Sequence, residues 1–426
     1  MSKQILLILA LSTFLFAGQD YSKKHFIFCL KNQMAKLSIS SDRNNLVTNY
    51  PQINNLMIKN NVISVKKWLT SATDKDTWDG INFSLYYEAT FDAERNLDEI
   101  SAVIGEFKQL NEVQIAGYLP INRLCAVKNG YVPNDTYFDR QWYVKKIMAD
   151  DAWALWNNQT PGDSSILIGI VDTGIDYLHP DLADAMYINP GEDIDGDGLI
   201  TEADKNGVDD DDNGYIDDFM GWDFAGESGT SEDNDIRPPG TDENLNLSHG
   251  THVAGIAAAT ADNNLGIAGV SFRSKIIATK HMADDDTSTY IQNGYDGILY
   301  CAKMGADIIN CSWGGGDFSG GQAFINLIKN NYGSIIVCAA GNEDTDHADK
   351  PHYPSGYDNT IAVAATNVND RKAYYSNYGD IIDISAPGGE GSTYANAIYS
   401  TIQVDAGSYT AFQGTSMSSP VVAGCL

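Results

Sequence analysis

The chain has 426 residues and a formal charge of −30, from 57 Asp and Glu against 27 Lys and Arg. That length exceeds one ordinary domain, and an apolar content of 43% suits a globular protein with a sizeable core. A polyanion repels nucleic acid, which excludes nucleic acid as a partner.

In chain order, Lys3, the apolar run Ile5–Phe16 and the small pair Ala17-Gly18 read as a signal peptide over residues 1–18. The run is shorter than the roughly 20 residues of a membrane helix, so no membrane span is expected after its removal. The expected destination is outside the cell, or the periplasm or cell surface. Residues 20–130 then form a small α+β pattern. Lys24–Lys31 and Asn82–Phe91 alternate like strands, Leu97–Leu110 has helical apolar spacing, and Glu112–Tyr118 and Arg123–Val127 read as further strands. Gly130–Asp135 reads as a connecting segment.

From Gln141 onward strands and helices alternate. Apolar strands are predicted at Ile166–Val171, Lys275–Lys280, Asp307–Ser312, Ser334–Ala339 and Thr360–Ala364, with helices at Thr251–Ala261, Ser288–Met304 and Gly321–Asn330. Near-continuous apolar strands between helices imply an α/β fold with a buried parallel sheet and helices on both faces. Asp172, Ser312 and Asn342 follow strand ends, where open α/β sheets place their sites. Six cysteines show no metal spacing and read as small buried thiols, with a disulfide framework as the alternative.

Between Glu192 and Glu243 stand 19 acidic residues against only Lys205 and Arg237. This insert, residues 190–243, opens on Asp193-x-Asp195-x-Asp197-Gly198-Leu199 and reaches Asp204 at the twelfth position, a calcium-loop pattern. Asp193, Asp195, Asp197, the Leu199 carbonyl and Asp204 are the expected oxygen donors. A second run, Asp209-x-Asp211-x-Asn213-Gly214-Tyr215-Ile216-Asp217, repeats the opening without the standard ending. Asp209, Asp211, Asn213, Tyr215 and Asp217 are its candidate ligands; the alternative is a solvated charge run.

Four motifs carry the chemistry. Gly414-Thr415-Ser416-Met417-Ser418-Ser419-Pro420 places a serine among small residues at a helix start. A serine hydroxyl is a poor nucleophile without a base and oxyanion donors. The base, its partner and a donor occur in Ser248-His249-Gly250-Thr251-His252, Ile170-Val171-Asp172-Thr173-Gly174 and Ala339-Ala340-Gly341-Asn342. In the order Asp, His, Asn, Ser these resemble the subtilisin-like serine proteases, or subtilases, from about Gln141 to the end of the chain.

The resemblance implies a secreted serine endopeptidase acting on peptide or protein substrates through an acyl-enzyme, with structural calcium. It implies Ser416 as nucleophile, His249 as general base and Asp172 as its orienting partner. Asn342 donates to the oxyanion. His252, Asp176 and Asp181 are nearby competitors that the pattern sets aside. Ser312-Trp313-Gly314 is similar to the substrate-pairing strand, and Ala339-Ala340-Gly341 to the facing wall of the first specificity pocket. His352 falls at that pocket's base, where compact members often carry glycine. Trp313 either lines an apolar subsite or packs internally. Gln141, Asp181 and Asn263 match a calcium site of the family. Residues 19–135 resemble the family's propeptide, a folding template and inhibitor of its own enzyme, with self-cleavage expected between Val127 and Asp139 and a monomeric catalytic domain over residues 136–426. Leu426 ends the chain ten residues after Ser416, so the catalytic domain is expected to be truncated. The rival reading is an inactive fragment or pseudoprotease serving as a calcium-dependent binding module.

Overall fold

A computed structural model describes residues 21–426, except 33, 43–44, 121–129, 157–159, 227–230, 239–244 and 285–289. The signal peptide, the strand expected at Arg123–Val127 and Cys125 lie outside the described residues. The chain divides into two units, Met1–Ala126 and Val127–Leu426.

The first unit is a four-stranded antiparallel sheet in the order β2-β3-β1-β4. Its strands are β1 (Tyr21–Leu30), β2 (Val62–Lys67), β3 (Tyr86–Phe91) and β4 (Val113–Pro120), with helices α1 (Pro51–Lys59) and α2 (Leu97–Lys108). Helix α2 buries Ile100, Val103, Ile104 and Phe107, the 3–4 spacing that predicted it. A capping box of Asn96 and Glu99 starts it, a device contributing about 1 kcal/mol. Sequence periodicity missed α1 and β2, both short. It also ran β3 too far forward: Phe83–Leu85 is a 3₁₀ turn, because the Asn82 side chain accepts from the Ser84 amide.

The second unit holds a seven-stranded parallel sheet in the order β6-β7-β5-β8-β9-β10-β11. The strands are β5 (Leu167–Asp172), β6 (Gly221–Asp223), β7 (Lys275–Lys280), β8 (Ile308–Cys311), β9 (Ile335–Ala339), β10 (Thr360–Thr366) and β11 (Ile384–Pro387). Alternation along β5 sends side chains both ways. Ile168 and Ile170 join the core of α3 (His249–Ala258) and α6 (Thr415–Cys425); Leu167 and Val171 join that of α4 (Gly294–Lys303) and α5 (Gly321–Leu327). Helices therefore cover both faces, as the apolar strands require. A hairpin, β12 (Ile398–Thr401) with β13 (Tyr409–Phe412), leads into α6.

After β5 the chain first builds outward to one side, then returns to place β8 on the other. The strand order reverses beside β5, and such a switch opens a crevice at the carboxyl ends. The described cysteines Cys29, Cys301, Cys311 and Cys338 are buried free thiols, and Cys425 is an exposed one. No helix among the described residues is long and apolar enough to cross a membrane.

Candidate active site

Asp172 ends β5 and is 2% exposed. Its Oδ1 accepts from the Thr173 amide at 2.8 Å and lies 2.7 Å from His249 Nδ1. A carboxylate can only accept here, so Nδ1 carries the proton and Nε2 is left as the base. Gly250 makes this approach possible, since a Cβ there would stand 2.3 Å from the Gly174 carbonyl oxygen and 3.1 Å from Asp172 Cβ. The competing aspartates are engaged elsewhere. Asp176 binds Arg237 at 2.8 Å, and Asp181 accepts from Asn263 at 2.8 Å.

His249 opens α3 with its side chain 27% exposed. Burial favours its neutral form, but the Asp172 charge and hydrogen bond outweigh it and hold the pKa above the ordinary value. His252 is the opposite case. It is fully buried, Nε2 meets the Ile398 carbonyl at 3.1 Å, the ring stacks on Phe412, and burial pushes its pKa down to about 3. It packs the helix and stays neutral.

Ser416 is the second residue of α6, and its Oγ donates to the Ser312 carbonyl at 2.9 Å. The helix contains Pro420, which has no N–H for the carbonyl four residues back. That carbonyl belongs to Ser416, and the Ser312 hydroxyl supplies the missing donor at 2.8 Å. Ser312 thus holds Ser416 twice, a role its sequence context did not reveal. Ser416, His249 and Asp172 line one cavity of about 660 Å³.

Asn342 turns on its amide oxygen, which accepts from the Thr415 amide and hydroxyl, both at 2.9 Å. This ties the amide group to the helix start. A Cβ on Gly414 would sit 3.6 Å from both Asn342 Nδ2 and the Ser416 amide nitrogen. The Asn342 amide and the Ser416 backbone nitrogen thus both lie near one small space at Gly414, where two donors could meet an oxyanion. Asn342→Leu is expected to lower kcat about 10²–10³-fold with little change in KM. That range comes from subtilisin itself and not from this geometry. Steady-state kinetics on a short peptide would measure it; an unchanged kcat would remove Asn342 from the site.

Trp313 and Gly314 line the cavity with Ser312. Trp313 both packs and faces the cleft: its indole donates to the Val171 carbonyl at 2.9 Å and its ring meets Tyr295 edge-on. Ala339, Ala340 and Gly341, expected as the facing wall, are all buried and are not among the residues lining this cavity. His352 lies between the walls. A Cβ on Gly314 would stand 2.0 Å from its Cε1, and one on Gly341 3.0 Å from its Cδ2. Burial keeps the His352 pKa below the ordinary value, although Glu343 opposes the shift. Sequence reading missed Tyr290, Phe318 and Tyr353, which also line the cavity; isolated aromatics in glycine-rich loops give no periodic signal.

In the acidic insert, one carboxylate oxygen each from Asp193, Asp195 and Asp197 lie within 4.8 Å of one another. Leu199 is exposed, and its amide donates to Asp197 at 2.8 Å. Asp204 stands apart from this trio, accepting from the Thr201 amide and hydroxyl and from the Ile194 amide. The second run differs more from the sequence expectation. Asp209 and Asp211 are joined by Glu192. Asn213 gives its amide to Asp211 and Asp218, and Asp217 turns at a φ of 54° to accept from Gly207. The Tyr215 ring packs edge-on against Trp222 and Tyr300. At the third site Asp181 and Asn263 meet, and Gln141 donates to Tyr143 and the Ala268 carbonyl while its Oε1 accepts from the Ala268 amide. Gathered hard oxygen donors in both loops fit calcium.

The Subtilase family profile matches residues 163–426. The chain is 37% identical to thermitase of Thermoactinomyces vulgaris over 297 residues, 69% of this chain and 84% of thermitase. It is 34% identical to the thermophilic serine proteinase of Bacillus sp. strain AK1 over 336 residues, 77% of this chain and 67% of that protein. A protease from Pseudoalteromonas arctica has a similar structure, with a TM-score of 0.52 at 26% identity, covering 68% of this chain and 85% of that one. A paired aspartate and histidine beside a helix-start serine, in a chain with these relatives, has one reading: the protein belongs to the subtilase family of serine endopeptidases.

Proposed function

We propose that the chain is the precursor of a secreted, calcium-stabilised serine endopeptidase that removes its own N-terminal unit. The observation that carries this is the Asp172–His249 pair opening onto the cavity that Ser416 lines. Rotation about χ1 takes the Ser416 hydroxyl from the Ser312 carbonyl toward His249. As Oγ bonds to the peptide carbonyl carbon, Nε2 takes its proton, and the oxyanion enters the space between Asn342 Nδ2 and the Ser416 amide. Collapse breaks the C–N bond, and the imidazolium returns the proton to the departing amine. Water then hydrolyses the acyl-enzyme with His249 again as base. An extended peptide or protein segment lying along Ser312–Gly314 is the substrate, recognised largely through its main chain.

The antiparallel first unit is the propeptide in this reading, and the catalytic unit acts as a monomer. Self-cleavage between Val127 and Asp139 is best placed before Tyr131. The Tyr131 amide donates to Asp150 and the Asn134 amide to Asp262, so both already belong to the second unit. Residues 127–129 lie outside the described residues. Export rests on Lys3 and the Ile5–Phe16 run. A fluorophosphonate probe should label the processed protein at Ser416, and Asp172→Asn should slow the labelling. Failure of the probe to react with folded protein would support the pseudoprotease reading instead.

A further inference from the structure

Glu192 lies before the first acidic loop and belongs to neither repeat, yet it is fully buried. Its Oε1 accepts from the Asp210 amide at 3.0 Å, while Oε2 is buried without a partner. One of its carboxylate oxygens comes within 4.8 Å of oxygens from Asp209 and Asp211. None of the three is ion-paired among the described residues. A buried acceptor with an unused oxygen is costly unless something fills its lone pairs. Three carboxylates converging without a cation add mutual repulsion. The approach is also built into the backbone. A Cβ on Gly191 would stand 2.4 Å from Asp211 Oδ2, so only glycine lets this chain segment lie against Asp211.

We propose that Glu192, Asp209 and Asp211 hold a calcium ion, with Glu192 closing the second loop from outside it in place of Asp217. Hard oxygen donors of this number and charge, on a flexible loop, suit calcium better than the strict octahedron of magnesium. The site is continuous with the catalytic unit. Asn189 donates to both Asp211 and Asp218, and Asp218 accepts from Tyr300 on α4 at 2.6 Å. The first residues of α4, Gly294, Tyr295 and Asp296, line the substrate cavity. Calcium at Glu192 therefore fastens the insert to the helix that borders the cleft.

The proposal deepens the calcium part of the function given above and is independent of peptidase chemistry. Its test uses the full chain carrying Ser416→Ala, which prevents self-digestion. Calcium is titrated calorimetrically, and melting is followed with calcium and with chelator. Glu192→Gln retains the acceptor for the Asp210 amide and should weaken one calcium-binding step at least about tenfold, shrinking the melting response to calcium. Asp211→Asn, whose remaining amide oxygen can still accept from the Asn189 and Asn213 side chains at the cost of the bond from the Asn213 backbone amide, should do the same and guards against a folding defect in the first variant. The pair Asp195→Ala and Asp197→Ala should leave that step intact. Unchanged calcium stoichiometry and affinities in both Glu192→Gln and Asp211→Asn would overturn the assignment while leaving calcium at the first loop. A parent protein that binds no calcium at all would overturn the calcium reading with it.

Discussion

Ser416→Ala is expected to abolish peptide turnover, lowering kcat by about six orders of magnitude, and to leave the precursor uncut after export. That magnitude comes from subtilisin itself and not from this geometry. The structural cost should be small. Alanine fits the first turn of α6, and the change removes one hydrogen bond, to the Ser312 carbonyl, worth about 1 kcal/mol. The reciprocal bond, from the Ser312 hydroxyl to the carbonyl of residue 416, needs only backbone and survives. A folded, calcium-responsive, inactive protein is therefore expected. N-terminal sequencing that finds the variant processed as usual would remove self-cleavage from the account. Turnover near that of the parent would remove Ser416 as nucleophile.

Asp172→Asn should lower kcat by about 10⁴-fold, because the amide no longer enforces the His249 tautomer that presents Nε2 as a base. Its second effect lies in the pH profile. Catalysis needs neutral His249, so activity is lost as pH falls through the His249 pKa, which lies above the ordinary value in the parent. Without the carboxylate, burial is left as the dominant influence and favours the neutral form. The acidic limb of the residual kcat/KM should therefore move to lower pH. A limb that stays in place would mean that some other group sets it.

Local sequence determined a good deal of this protein. The candidate site was legible in four short motifs, because its groups sit at strand ends and helix starts, where sequence neighbours dictate geometry. Strand β7 was bounded correctly, and α2 was read from its apolar stripe. The two acidic runs were legible for the same reason: their carboxylates follow one another along a tight turn.

What sequence could not supply were contacts between segments far apart in the chain. Ser312 was read as a substrate-pairing residue, and only packing against α6 shows it satisfying the carbonyl that Pro420 strands. The Asn342 amide acquires its direction from Thr415, 73 residues away. Glu192 belongs to no loop pattern and joins Asp209 and Asp211 because the insert folds back past Gly191. Asn213 and Asp217 drop out of the second loop's cluster for a matching reason: Asp218 and Gly207 offer them hydrogen-bond partners. Periodicity and spacing record what a residue does to its near neighbours. Which buried donor meets which acceptor is decided only when tertiary packing excludes water and leaves each polar group to find a partner.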